Sequence, residues 1–351
     1  NFTMQAQLTP SIAYTVGYVA TFARHAEGNI GSNRPHIVVP SNVALTQRVG
    51  GVIQPHTNDC TVAVGGTVSQ TSAGAPCSLL PYPDFPQNNT YVYMEGNDAY
   101  NSLQATIQKV FSHGAGFLAN YTWSKALGDG SDPGIFTQIS YRGPYVPGFG
   151  MRGDKQLETF NIAHLFHVSA TYDLPFGAGR EHLNHPGVLD AIVGGWSLDG
   201  IFTFQSGQPF TVNGTKSSNN GSGNYAYVDT SKLYTGAHTV THWANAAAFS
   251  NPATAQGPTD ISAYGGSPAQ GVGPHFHRDD LGIAKKWHTP LSTILEFHAE
   301  AFNVTNTPEF AQPGTLSPNS SNFASITSTR NSPNDSRQIQ FGVKLIFGPS
   351  L

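Results

Sequence analysis

Three residues, His275, His277 and Asp279, carry the donor types of a metal site, and in an extended chain His275 and His277 fall on one face, as two ligands must. A polar strand face produces the same spacing without any metal, so both readings stay open. His164 with His167 is a second imidazole pair of the same weak kind. Glu296, His298 and Glu300 alternate in the same way. Two carboxylates flanking an imidazole suit general acid–base work, although a polar pore wall is the simpler account. Asp129, Asp132 and Asp154 lie near Gly128, Gly130 and Gly153 but lack the regular ligand spacing of a calcium loop, so they read as solvated turn carboxylates. No HExxH, GxSxG or Gly-rich phosphate loop occurs. The expectation is a protein with no catalytic, cofactor or metal site, and not an enzyme.

Cys60 and Cys77 sit in a Gly/Ser/Thr/Pro-rich stretch with no CxxC spacing and no accompanying histidines, which makes zinc a poor reading. A disulfide within a long loop, formed in an oxidising compartment, is expected, with two unrelated thiols as the alternative. The triplets Asn120-Tyr121-Thr122 and Asn303-Val304-Thr305 fall in or beside alternating runs and are not read as glycan acceptors.

The elements that must position these residues announce themselves by period-two alternation. Phe2, Met4, Ala6 and Leu8 alternate with Thr3, Gln5 and Gln7. After a Thr9-Pro10-Ser11 turn, Tyr14, Val16, Tyr18, Ala20 and Phe22 continue the pattern. Leu103, Ala105 and Ile107 oppose Gln104, Thr106 and Gln108, and Phe117, Ala119, Tyr121 and Trp123 oppose Asn120, Thr122 and Ser124. Five more runs follow: Phe166–Leu174, Trp196–Gln205, Leu281–Trp287, Leu295–Ala301 and Ile339–Phe347. That predicts about nine strands, each near the length a tilted strand needs to cross a bilayer.

Connections alternate between short and long. Short links follow Leu8, Phe111 and Trp287, and a medium one joins Leu174 to Trp196, whereas long loops are expected over about 25–100, 125–163, 206–278 and 304–337. All long loops then fall on one side, as in a transmembrane antiparallel β-barrel with short periplasmic turns and long extracellular loops. The Gly/Asn/Ser-rich loops, such as the run from Gly214 to Gly221, are expected to be mobile. Aromatic residues cluster near the run ends, where barrel girdles lie. A secreted β-sandwich would also alternate but would bury its apolar face.

Charged residues make up only 11% of the chain, against roughly 25% in soluble globular proteins. The net charge of -4, without clustered Lys and Arg, gives no electrostatic reason to expect nucleic acid as a partner. No run approaches the 18 or so consecutive apolar residues of a membrane helix, so any crossing is by strands. Backbone groups in hydrocarbon must all be paired, and nine strands are too few to close. The expectation is therefore a partial, all-β barrel, with further strands and any export signal upstream of Asn1.

Six separated segments, in order, resemble the Oar-like TonB-dependent transporters of the outer membrane. They are Tyr100–Gln104, Phe117–Lys125, Tyr172–Gly177, Gly195–Leu198, Phe204–Phe210 and Ala299–Asn306. The resemblance spans most of the chain. It implies that residues 1–351 are the C-terminal segment of a barrel of about 22 strands, with a plug domain and N-terminal strands outside the sequence. The segment from Arg337 to Phe347 resembles the terminal strand read by the barrel assembly machinery, with Gln340, Gly342, Leu345 and Phe347 as the implied signal, although Gly348 to Leu351 follow where such strands usually end. The implied setting is the bacterial cell outer membrane. The implied partners are outer-membrane lipid, the assembly machinery, the TonB complex through the missing N-terminal region, and an unknown extracellular substrate taken up or exported. A non-energised barrel acting as adhesin or passive pore, and a secreted carbohydrate-binding β-sandwich, are the alternatives.

Overall fold

A computed structural model of the protein describes residues 1–31, 45–49, 52–56, 61–62, 68–69, 90–128, 155–214, 225–252, 265–289, 293–330 and 335–347. Cys60, Cys77, Asp129, Asp132, Asp154, 215–221 and 348–351, all singled out above, lie outside these residues. Nine strands form one antiparallel sheet in sequential order: β1 (Phe2–Thr9), β2 (Ile12–Gly31), β3 (Thr90–Ser112), β4 (Ala115–Gly128), β5 (His164–Asp173), β6 (Trp196–Gln205), β7 (Phe276–Thr289), β8 (Thr293–Phe302) and β9 (Gln338–Phe347). A short strand, Gln156–Leu157, adds to the end of β4. The sheet is open, with β1 and β9 at its edges.

Register explains why alternation was visible. Met4 pairs with Val16, Val16 with Ala105, Ala105 with Tyr121, Tyr121 with Phe166 and Phe166 with Phe204. Farther along, Leu198 pairs with Ile283, Ile283 with Ala299 and Ala299 with Phe341. Every apolar run therefore lands on the same face of the sheet, because side chains two apart share a face and directly paired residues do too. Away from the short-turn rim of β6 and β7 that face is not covered: Phe2 is 72%, Phe341 73% and Phe347 72% exposed. A sandwich would have packed Phe166, Val168, Ala170 and Tyr172 against a second sheet. Here Phe166 and Tyr172 stand exposed and the face is bare.

Three findings depart from the pattern reading. β2 and β3 stay paired from Phe22 opposite Ala99 up to Gly31 opposite Thr90, with register shifts around Ala26. At about 3.3 Å per residue, a strand the length of β3 passes far beyond a hydrocarbon core of about 30 Å. Above the membrane both faces meet water, so nothing enforces alternation there. Second, Val188–Val193 in the connection from β5 to β6 forms a helix, α1, too short at six residues to show a helical period.

The third departure concerns the loops. The wall itself buries almost nothing apolar, Ala126 and Ala284 being the buried apolar residues among its described strands. The main core lies instead in the connections from β6 to β7 and from β8 to β9, where Phe210, Val212, Ala226, Leu233, Ala244, Ala248, Phe249, Phe323 and Ala324 pack together. Mobility was expected of the first of these loops. Its described part folds instead, because apolar residues scattered without a period still converge once the chain turns back on itself.

Candidate functional site

The polar face of the sheet is a chain of cross-strand contacts. Thr106 donates to Asn120 Oδ1 at 2.9 Å and Thr171 to Asp199 Oδ1 at 2.8 Å. Glu300 accepts from Gln340, and Glu296 holds His298 at 2.7 Å and Lys286 at 3.9 Å. Glu296, His298 and Glu300 therefore do share a face. Their carboxylates are engaged with neighbouring strands, which is what a polar wall requires.

The histidine pairs resolve differently. His164 pairs in register with Trp123 and His167 with Asn120, so an odd spacing sends them to opposite faces and they do not form a pair of ligands. His164 Nδ1 instead meets the Tyr121 hydroxyl at 2.8 Å. His277 Nε2 lies 3.1 Å from Asp279 Oδ2, while His275 turns to the Phe204 ring, 5.7 Å between centroids. Of the implied assembly residues, Gln340 stands opposite Glu300, Gly342 opposite His298, Leu345 opposite Leu295 and Phe347 opposite Thr293.

A cleft of roughly 620 Å³ opens at the long-loop end of β6 and β7. Its walls come from Phe204, His275 and His277 at the strand ends and from Tyr234, His238, Trp243 and Glu309 in the loops. Volumes of this order suit a small molecule or one part of a larger ligand. The His238 ring sits between Tyr234 and Trp243, 4.2 and 4.7 Å from their centroids. Both neighbours are fixed by one peptide: the Tyr234 hydroxyl and Trp243 Nε1 donate to the Val272 carbonyl at 3.0 and 2.9 Å, and the Val272 N–H donates back to Tyr234 Oη at 2.8 Å. Burial pushes the Tyr234 phenol up, so it stays a neutral donor.

The cleft floor is held by Glu309 and Arg330. Glu309 is buried and accepts from the His277 N–H at 3.0 Å, and burial pushes its carboxyl above the ordinary range. Arg330 donates to the carbonyls of Phe310 and Pro274 at 3.1 and 2.8 Å, joining the two loops. Phe204 and His277 belong to alternating strands, but the loop residues Tyr234, His238, Trp243, Glu309 and Arg330 follow no period. The available signal was Trp243: three of the four tryptophans, Trp123, Trp196 and Trp287, sit near the ends of alternating runs, and Trp243 stands alone in a loop.

Motifs quoted for the family resemblance lie where loops are pinned to the wall. Gly207 packs against the Gly273 carbonyl so closely that a Cβ would lie 1.9 Å from it, and Phe210 enters the loop core. Asn303, buried at the end of β8, donates to the carbonyls of Thr307 and Asp335 at 3.0 and 2.7 Å and accepts from the Thr307 N–H at 3.0 Å.

A family model described as an outer membrane beta barrel domain matches residues 1–340. No curated protein and no solved structure matches the chain.

Proposed function

The chain belongs to the outer membrane beta barrel domain family, and from that premise we propose that it supplies wall strands and extracellular loops of an Oar-like TonB-dependent transporter, its loop cleft contacting a substrate to be taken up or exported. Membership places it in the bacterial outer membrane, with lipid on the apolar face. The transporter reading rests on the six ordered motifs and, above all, on a folded loop unit that presents a pre-formed aromatic cleft over the wall. Rigid rings clamped by one peptide lose little freedom on binding, which favours stacking against a flat group of the substrate. The role in this reading is transport without catalysis: Tyr234 and Trp243 are held by the Val272 carbonyl and Glu309 by the His277 N–H, which fixes the shape of the cleft.

The assembly machinery would read β9, and energy would arrive from the TonB complex through a region outside this sequence. The test is uptake or export in the native host. Deleting the gene and deleting the TonB system are expected to give the same defect, and Trp243→Ala in an otherwise assembled barrel to reproduce it. Uptake or export that survives loss of the TonB system unchanged would favour the passive-pore reading instead, and surface binding with no uptake or export the adhesin reading.

A further inference from the structure

The helix α1 has an unusual position for so small an element. Five of its six residues are apolar, the exception being Asp190, which accepts from the Ala178 N–H, yet none is buried, and Val188, Leu189 and Ile192 are exposed by 81%, 56% and 62%. Six residues hold no helix by themselves in water, so something outside must hold it. That something is the apolar face of the wall. Trp196 Nε1 donates to the Ile192 carbonyl and Trp287 Nε1 to the Ala191 carbonyl, both at 2.9 Å, and Lys285 donates to the Gly194 carbonyl. These are the carbonyls a helix end leaves without partners.

All three donors issue from one face. Trp196 is paired with Lys285, Lys285 with Phe297 and Phe297 with Val343, and Trp287 with Leu295. The Lys285 ammonium sits 5.0 Å from the ring centroids of both tryptophans and is buried. α1 therefore lies against the lipid-facing side of the sheet at its short-turn rim, continuous with exposed Leu198, Tyr172 and Leu345. Indole rings favour the headgroup level, and a lysine there extends its ammonium toward the polar boundary.

We propose that α1 is an interfacial anchor, lying in the periplasmic leaflet with Val188, Leu189 and Ile192 among phospholipid acyl chains. It follows from family membership and does not depend on the transporter reading. The anchor would fix how deeply this part of the barrel sits. It would also keep the longest short-side connection from swinging free.

The experiment places a photoreactive benzoyl-phenylalanine at 189 or 192 of the full-length protein in its native outer membrane, in cells fed radiolabelled phosphate. Position 345, on the same sheet face near the short-turn end of β9, is the lipid control and 185 the aqueous one, and heat-modifiable gel mobility confirms assembly of each variant. The expected result is a phospholipid adduct at 189 and 192 matching that at 345, and none at 185. A protein adduct, a lipopolysaccharide adduct, or no adduct at 189 and 192 while 345 reacts would overturn the proposal.

Discussion

The side-chain amide of Asn303 donates to the main-chain carbonyl of Asp335 at 2.7 Å, so the residue that ends β8 also holds the far end of the loop it begins, 32 residues on. The same side chain satisfies Thr307 twice, and the Asn303 N–H reaches Asp280 Oδ1 at 2.8 Å. Its φ of 51° lies in the left-handed region that asparagine tolerates better than most residues. Asn303→Ala strands half-buried partners and strains the backbone, and should cost about 2 kcal/mol of loop stability. Hydrogen exchange should show lost protection at Thr307 and Arg337, while the paired amides of β5 and β6 stay protected.

Gly195 has φ 71°, and a Cβ there would stand 2.6 Å from the Lys286 carbonyl. Because the obstacle is backbone, no side chain can move aside. Gly195→Ala should cost on the order of 2 kcal/mol or more and detach α1 from Trp196 and Trp287. Tryptophan emission should shift toward the red, since both indoles lose their helix contacts.

Phe347 tests whether the end of β9 acts as an assembly signal or as a stabilising contact. Its ring is 72% exposed and buries little. Phe347→Ala should lower the amount of barrel reaching the outer membrane and leave the melting temperature of the assembled fraction unchanged. A lower melting temperature with normal abundance would assign Phe347 to stability instead.

The wall was legible because two solvents enforce it: lipid on the face of Met4, Val16 and Phe341, polar surroundings on the face of Thr106, Asp199 and Glu300. Each strand recorded that division residue by residue. Where the division ends, so did the record, which is why the pairing of Ala26 to Gly31 with Gly96 to Thr90 left no pattern. The polar ladder was legible for the same reason as the wall. The cleft was not, since Phe204, Tyr234, Trp243, Val272 and Glu309 come from separate segments and meet only through the loop core. The parity of a strand also decides one open reading: His164 and His167, close in sequence, are on opposite faces.

Phe323 is the ring on which the loop unit closes, 1% exposed and edge-on to Phe249 at 5.4 Å. Phe323→Ala should cost about 3–5 kcal/mol locally. The wall shares almost none of this core, so the barrel should assemble while the loop becomes sensitive to protease added outside intact cells. On the transporter proposal, substrate uptake or export should fall with it, because the cleft loses the support behind Trp243, whose main-chain N–H donates to the Ala324 carbonyl at 3.0 Å.

Glu309 gives the loops a pH dependence of definite sign. Burial pushes its carboxyl above the ordinary value of 4.5, against the opposing pull of the His277 N–H and the charges of His277, Arg330 and Arg278. A carboxyl whose folded value is raised binds its proton more tightly in the folded state. Its contribution is therefore full below 4.5 and is lost as pH rises through the folded value. Glu309→Gln keeps an oxygen to accept from His277 and has no proton to lose. Protease resistance of the loop unit in the wild type should decline as pH rises through that window, and the variant should be flat across it and more resistant at neutral pH. A wild type that instead gains resistance over the same range would show that the Arg330 and His277 charges outweigh burial, with Glu309 acting as an ionised partner.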